Sequence, residues 1–234
     1  AAVTMITHKH TLDVIYSSNE GEGGSGGGAG KKRQLLKLNP AHLAKLRTQY
    51  EATRVSAITA DDPEEEQAFL DAVFCLLARY QTIQGHGFQA AVAEAAFGVL
   101  HEDLGVDLEV FASPLNSTYA RHCSAFRDTD ACFGSLGSFF DLHPQEGSFE
   151  ANPPFVLGVM DAMVTHITSL FTASTGPMSF VVVVPKWDQA AFYASLSSSP
   201  WLQRKMVIVK EEHGFCDGAS FQRQDRFRDS PYDT

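Results

Sequence analysis

The chain has 234 residues, 44% of them hydrophobic, and a formal net charge of −10 at pH 7. That length allows one large domain, or a core with a small appendage. No apolar run reaches the ~18 residues of a membrane span, so no membrane partner is expected, and the acidic balance argues against tight, non-specific nucleic-acid binding.

The first residues, Ala1 to His10, lack the charged-then-apolar order of a signal peptide. They also lack an initiator Met, as a fragment would. Gly-Glu-Gly-Gly-Ser-Gly-Gly-Gly-Ala-Gly at 21–30 is flexible-linker composition, which predicts a flexible segment over 1–34 with disorder over about 17–32. Cys75, Cys123, Cys132 and Cys216 form no Cys-x-x-Cys pair, so they read as reduced thiols of an intracellular protein. No metal site is expected, and His8 with His10 in a flexible tail does not change that.

A helical unit is expected over 35–105. Lys37 to Val55 reads as a helix started by Asn39-Pro40, with Leu38, Leu43, Leu46 and Tyr50 inward. Asp62, Pro63 and Glu65 predict the next start as a capping box, and Glu64 to Glu66 suit the positive end of the helix dipole. Phe69, Val73, Leu76, Leu77 and Tyr80 then recur at helical spacing up to Gly85-His86-Gly87. A third helix is expected over Phe88 to Leu104, with Val92, Ala95, Val99 and Leu100 inward and Gly105 as its C-cap.

From Val106 the pattern turns to alternating strands and helices. Leu108 to Ala112 reads as a strand, Ser113-Pro114-Leu115-Asn116 as its turn, and Tyr119 to Phe126 as a short helix. A Gly- and Ser-rich loop follows over 128–139. Ser148 to Ala151 reads as a strand, and Val156, Met160, Met163, Ile167 and Leu170 as one helix face stopped by Gly176-Pro177. Phe180 to Val184 reads as a fully buried strand, Asp188 to Ser198 as a helix and Met206 to Val209 as a strand. That order implies a mainly parallel sheet over 106–234. Ligands of such sheets bind beyond the carboxyl ends of the strands, where Ser113–Asn116, Asn152–Phe155 and Pro185–Trp187 fall.

Asn152-Pro153-Pro154-Phe155 fits methyl transfer to an aromatic amine. The exocyclic nitrogen of adenine is a poor nucleophile because its lone pair is delocalised into the ring. Two acceptors on its N–H groups, the Asn152 oxygen and a backbone carbonyl of the Pro-Pro corner, would turn that lone pair outward. The prolines fix those acceptors before substrate arrives, and Phe155 offers a stacking face. Four such residues are also a common turn, so the string alone identifies nothing.

Several further stretches carry a resemblance. They are Leu76 to Gln81, Phe111 to Asn116, Cys123 to Phe126, Asp128-Thr129-Asp130, Phe133-Gly134-Ser135, Gly147 to Phe155 and Met160 to Val164. Over about residues 35–230 the chain resembles the phosphorylated CTD-interacting factor family, cap-specific adenosine N6-methyltransferases. The resemblance implies a Rossmann-like α/β core with a mainly parallel sheet, preceded by a small helical domain. It implies S-adenosyl-L-methionine as donor, the cap-adjacent 2′-O-methyladenosine of mRNA as substrate, and a location in the nucleus. On it, Asn152, Pro153, Pro154 and Phe155 are the catalytic residues. Ser113, Pro114, Leu115, Asn116, Asp128, Asp130 and Asn152 face the cofactor. Phe155, Lys186 and Trp187 face the substrate.

Three features depart from the family. Leu157 and Gly158 stand where acidic residues are usual after the tetrapeptide, which keeps open an alternative: a catalytically degenerate relative that binds capped RNA or a transcription partner. Trp187 and Trp201 are too close together and too far along the chain for a WW domain, so binding to the phosphorylated RNA polymerase II tail is not carried over. The chain stops at Thr234, where the family continues into a last strand. Basic residues recur around Lys31–Arg47, Arg204–Lys210 and Arg223–Arg228; they read as solvated faces unless they converge on an RNA end. His122, His143 and His166 read as structural, since this chemistry needs no histidine, and Cys123 and Cys132 as inert buried thiols.

Overall fold

A computed structural model describes residues 2–8, 11–18, 32–54, 62–83, 90–217 and 227–234. Alternating apolar residues near the start build an antiparallel meander of β1 (Ala2–Thr7), β2 (Leu12–Ser18) and β3 (Lys32–Leu38). Its inward residues Val3, Leu12, Val14, Leu36 and Leu38 are buried, as period-2 patterning demands. The flexible segment expected over 1–34 is therefore mostly strand where it is described, apart from His8 and Thr11 at the strand ends. The disorder expected over about 17–32 falls mostly on 19–31, outside the described residues.

Two helices lie against this meander. In α1 (Pro40–Ala52) the Asn39 side-chain oxygen accepts from the Ala41 and His42 N–H groups at 2.8 and 3.2 Å. The helix begins later than expected because Lys37 and Leu38 complete β3. In α2 (Pro63–Thr82) Asp62 accepts from Glu64 N–H at 2.9 Å. Glu65, expected to turn back onto that cap, is instead bonded by Arg54 Nη2 at 2.7 Å. All five residues predicted for the inner face of α2 are buried. Phe69, Val73, Leu76 and Leu77 share one core with the meander, with Leu46 and Tyr50 of α1, and with Leu115 and Phe133 from further along the chain. The Gly85–Gly87 stop lies outside the described residues.

The third helix starts at Glu94 rather than Phe88. Ala90–Ala91 is a short strand, β4, and α3 runs Glu94–Leu104 to Gly105, whose φ of 64° is the left-handed cap that favours glycine. Its buried residue is Phe97, packed edge-on to Tyr119 at 5.3 Å, while Val99 is exposed.

The second half is built on a parallel sheet of β5 (Leu108–Ala112), β6 (Arg121–Ser124), β7 (Gly147–Ala151) and β8 (Met178–Val182), in the order β6-β5-β7-β8. The helix expected over Tyr119–Phe126 is instead β6. His122 and Cys123 are both fully buried, so both faces of the strand are covered and no buried/exposed alternation is there to read. The loop region after it contains α4 (Arg127–Asp130) and short 3₁₀ turns at Ala131–Phe133 and Phe139–Asp141. After β7 comes α5 (Leu157–Ala173), which buries Met160, Met163, Val164, Ile167 and Leu170 against Leu108, Val110, Phe149 and Ala151. Each such side chain contributes about 1.5–3 kcal/mol of burial. After β8, α6 (Ala191–Ser197) adds Phe192 to the same core.

Two strand expectations change. Phe180–Val184 is half-buried rather than buried, because β8 is the sheet edge. Met206–Val209 joins no named strand. Its side chains are largely exposed, and Ile208 exchanges two backbone bonds with Thr234 at 2.8 and 3.0 Å. A last sheet pairs β9 (Gly214–Asp217) with β10 (Phe227–Asp229) and β4. No helix among the described residues is long and apolar enough to cross a membrane.

Leu77 of α2 is fully buried in the core shared by α2 and the meander. Leu77→Ala should cost about 2–5 kcal/mol in urea unfolding, with the slope of the transition unchanged.

Candidate active site

The β6-β5-β7-β8 order reverses between β5 and β7, the switch point at which open parallel sheets bind ligands. Two turns leave the strands there. After β5, Ser113 O accepts from Asn116 and Ser117 N–H at 3.1 and 2.9 Å, while Asn116 Oδ1 accepts from Ser113 N–H at 2.7 Å and its hydroxyl at 2.9 Å. The turn is thus locked by its own side chains. After β7, Asn152 and Pro153 are buried, Pro154 O accepts from Val156 N–H at 2.6 Å, and α5 starts one residue later. Pro153 and Pro154 hold this corner stiff.

One cavity of about 270 Å³ spans both turns. Ser113 and Asn116 wall one side, Asn152 to Phe155 another, and Phe111, Phe139 and Phe140 form an aromatic wall. Their rings meet at angles, with centroids 5.3–5.9 Å apart. Mostly apolar walls with a few placed polar groups are the usual make-up of a small-molecule site. A second cavity, of about 420 Å³, lies across the same turn and is lined by Lys45, Leu115, Asn116, Ser117 and Thr118 among others.

The structure brings together Ser113, Asn116, Asn152, Pro153, Pro154 and Phe155. Other expected site residues lie elsewhere. Pro114 is buried off the cavity wall, and Leu115 is packed into the α2 core, because a tight turn cannot aim every side chain at one cavity. Asp128 is exposed and paired with Arg79 Nη2 at 2.8 Å. Asp130 is fully buried and accepts from the Tyr80 hydroxyl at 2.5 Å and from Thr129 Oγ1 at 2.9 Å. The Lys186 ammonium points to Asp188 at 3.7 Å. Trp187 stands behind Phe155 rather than on the cavity wall, with ring centroids 6.5 Å apart; Phe215 and Tyr232 complete that cluster at 5.9 and 6.3 Å. Two of the basic residues are taken up elsewhere: Arg47 of α1 bonds Glu66, and Lys205, beyond α6, lies over Tyr193.

Sequence reasoning missed the cavity residues Tyr80, Ile83, Phe111, Ser124, Phe139 and Phe140. Phe111 was findable, being two residues before Ser113 on one strand face. The helical spacing places Tyr80 in the core, and its Asp130 partner comes from 50 residues away. Burial pushes both the Tyr80 and Asp130 pKa values up, so at neutral pH Tyr80 remains a donor.

A row of buried ionisable groups crosses the sheet beneath the turns. Glu109 of β5 is register partner to His122 of β6 and to Glu150 of β7. Their exposures are 2%, 0% and 1%. Glu109 Oε1 accepts from Thr118 and Tyr119 N–H at 2.6 and 2.7 Å. Burial raises its pKa to about 7 despite those two bonds and the Lys45 charge. Glu150 is also raised, by burial and then by Glu109, and its Oε1 has no hydrogen-bond partner. His122 has none on either ring nitrogen, and burial, aided by Lys45, lowers its pKa to about 4. Burial likewise pushes the Cys123 thiol up to about 12, so it is inert.

Residues 45–218 match the family model described as "Phosphorylated CTD interacting factor 1 WW domain". The chain is 39% identical over 196 residues to the proteins of Mus musculus and Homo sapiens named "mRNA (2'-O-methyladenosine-N(6)-)-methyltransferase". The match covers 80% of this chain and 27% of each relative, so the chain spans about a quarter of their length. The expectation of a chain without a WW domain does not fit the matched model's own description. The matched residues contain both tryptophans, Trp187 and Trp201, within the part built on the parallel sheet.

The buried row has a measurable acid limb. A base whose folded pKa is lowered loses stability as pH falls from its unfolded value of 6.5 toward 4. His122→Leu removes that loss and both orphaned nitrogens. The variant should match or exceed the wild type at pH 7, with its advantage growing by up to about 3 kcal/mol by pH 4 in urea titrations.

Proposed function

The chain belongs to the phosphorylated CTD-interacting factor family, and on that premise we propose that it carries the catalytic core of an RNA methyltransferase. The target is the N6 amine of adenosine, in the cap-adjacent 2′-O-methyladenosine of mRNA, the donor is S-adenosyl-L-methionine, and the setting is the nucleus. The observation that carries the reading is the single cavity shared by the Asn152–Phe155 corner and the Ser113–Asn116 turn. The names of the two relatives supply the substrate.

The donor's chemistry is an electrophilic methyl on a sulfonium, whose C–S bond breaks as the N–C bond forms. Asn152 Oδ1 and a carbonyl of the proline corner accept the two amine hydrogens and direct the lone pair. The amine's surplus proton leaves to solvent after transfer. Pro153 and Pro154 keep the acceptors in place at no cost during the reaction. Phe155 stacks on the unpaired base, stiffened from behind by Trp187, Phe215 and Tyr232. Ser113 and Asn116 would hold the donor through polar contacts, and the Phe111, Phe139 and Phe140 wall would suit a sulfonium cation.

A second reading, a relative that binds capped RNA without catalysis, is favoured by one observation. The first turn of α5 holds no acidic residue, and Leu157 is 53% exposed beside the corner. Calorimetric titration with S-adenosyl-L-methionine separates the two, since absence of binding removes the enzyme reading.

Asn152→Ala should lower methyl transfer to a capped oligonucleotide by about 10²–10³-fold with the circular dichroism spectrum unchanged. Near-normal turnover by the variant would remove the mechanism. Equal rates on capped and uncapped RNA would move the target to internal adenosines.

A further inference from the structure

We propose that Glu109 is a positioning residue for the cavity: its carboxylate holds the turn leaving β5 through two backbone N–H groups, and protonation of that carboxylate loosens the turn. The proposal rests on the reading of the cavity as the methyl-donor site only where it speaks of donor affinity; the clamp itself stands on the geometry.

The geometry is specific. Ser113 and Asn116 form the cavity wall, and the chain then continues through Ser117, Thr118 and Tyr119 to β6. A connection of this kind would normally leave its N–H groups to water. Here Thr118 and Tyr119 both donate to one buried carboxylate oxygen, at 2.6 and 2.7 Å. The other fixings come from outside the sheet. Lys45 Nζ donates to Ser117 O, Gln49 Nε2 to Ser117 Oγ at 3.0 Å, and the Tyr119 hydroxyl to Phe97 O at 2.8 Å. Glu109 alone among these partners sits on the strand that leads into the turn, so it ties the turn's far end to its own root.

The charged form of Glu109 is poised. Lys45 on α1 favours it. Glu150 on β7, its register partner, opposes a second charge, as two adjacent buried carboxyls must. His122 on β6 is held neutral, and Tyr119 is held as a phenol by burial and by the Glu109 charge. The two N–H bonds are charge-assisted only while Glu109 is ionised, and they lose about half their strength when it is neutral. With its pKa raised to about 7, Glu109 changes state close to neutrality.

The effect has a sign that a purely structural role would not give. A carboxyl with a raised folded pKa lowers global stability as pH rises from 4.5 to about 7. The clamp does the opposite, because it tightens as pH rises. Local order in the turn and global stability should therefore move in opposite directions over the same interval.

The test uses the full chain as wild type, Glu109→Gln and Glu109→Ala. Amide exchange over 113–119, corrected for intrinsic rates, and calorimetric titration with S-adenosyl-L-methionine are both read at pH 6 and pH 8. The wild type should exchange more slowly and bind about fivefold more tightly at pH 8 than at pH 6. Glu109→Gln keeps the shape and one acceptor without the charge, so it should behave at both pH values like the wild type at pH 6. Glu109→Ala should exchange fastest at both; if it fails to fold, the wild-type and Gln comparison still decides. Identical pH responses in wild type and Glu109→Gln would overturn the proposal. Loss of donor binding by the wild type at both pH values would sink the methyltransferase reading, and the exchange data alone would then decide the role of Glu109.

Discussion

Across the β5–β7 pair, Leu108 faces Phe149 and Glu109 faces Glu150. That parallel register is the constraint on which the site depends. Two strands in register and pointing the same way end side by side, so their following turns must share space. One turn is locked by Asn116 on its own backbone, and the other by two prolines. From β5 the chain passes to β6 on one side, and from β7 through α5 to β8 on the other, which leaves the crevice between the two turns open. A slip of one residue by either strand would turn its carboxyl toward the α5 core and break the alignment of the two turns.

The same register explains an expensive feature. Glu109, Glu150 and His122 lie on the face of the sheet opposite the packed apolar layer of Leu108, Val110, Phe149 and Ala151. Because side chains alternate, this face continues on β7 from Glu150 to Asn152, while on β5 the register shifts between Glu109 and Ala112 and Phe111 packs beside the apolar layer. A polar face that must be polar at the cavity is polar beneath it as well. Orphaned nitrogens on His122 and an orphaned oxygen on Glu150 are the cost of that continuity. Of the three, only Glu109 gains clear compensation, through the two N–H groups it accepts.

Legibility in the sequence followed the range of the interaction. Local chemistry was readable: Asn39 and Asp62 as caps, Gly105 in the left-handed region, the α2 face, and the turns after β5 and β7. Elements whose character is set by a distant partner were not. β6 reads as a helix because burial on both faces erases its period, and β8 reads as buried because position in a sheet order is not written in a strand's own composition. Met206–Val209 has strand composition, but among the described residues its bonds across the chain are the two between Ile208 and Thr234, and no strand forms. In the site, Asp128 and Asp130 had the chemistry to hold a ligand. Their actual partners, Arg79 and Tyr80, come from adjacent positions on α2. Helix α2 thus reaches the cavity through Tyr80 and engages the acidic pair, neither of which lines the cavity.

That arrangement bears on how an amide side chain could direct a weak nucleophile. In water, an Asn oxygen competes with solvent for an amine hydrogen and gains little. Asn152 is 7% exposed at the end of an aromatic-walled cavity, where the effective dielectric is low and each placed acceptor counts for more. The gain is kept only if the acceptor does not relax toward other partners. Pro153 and Pro154 restrict the backbone on one side, and the Ala151 carbonyl, bonded by Val183 N–H at 2.9 Å, anchors it to β8 on the other. Phe155 is constrained from behind by three aromatic rings, so a stacked base would meet a surface that is already ordered. Rigidity at the corner, supplied by covalent geometry and packing rather than by charge, is what a neutral side chain would need to take the place of an ionised one in the proposed methyl transfer.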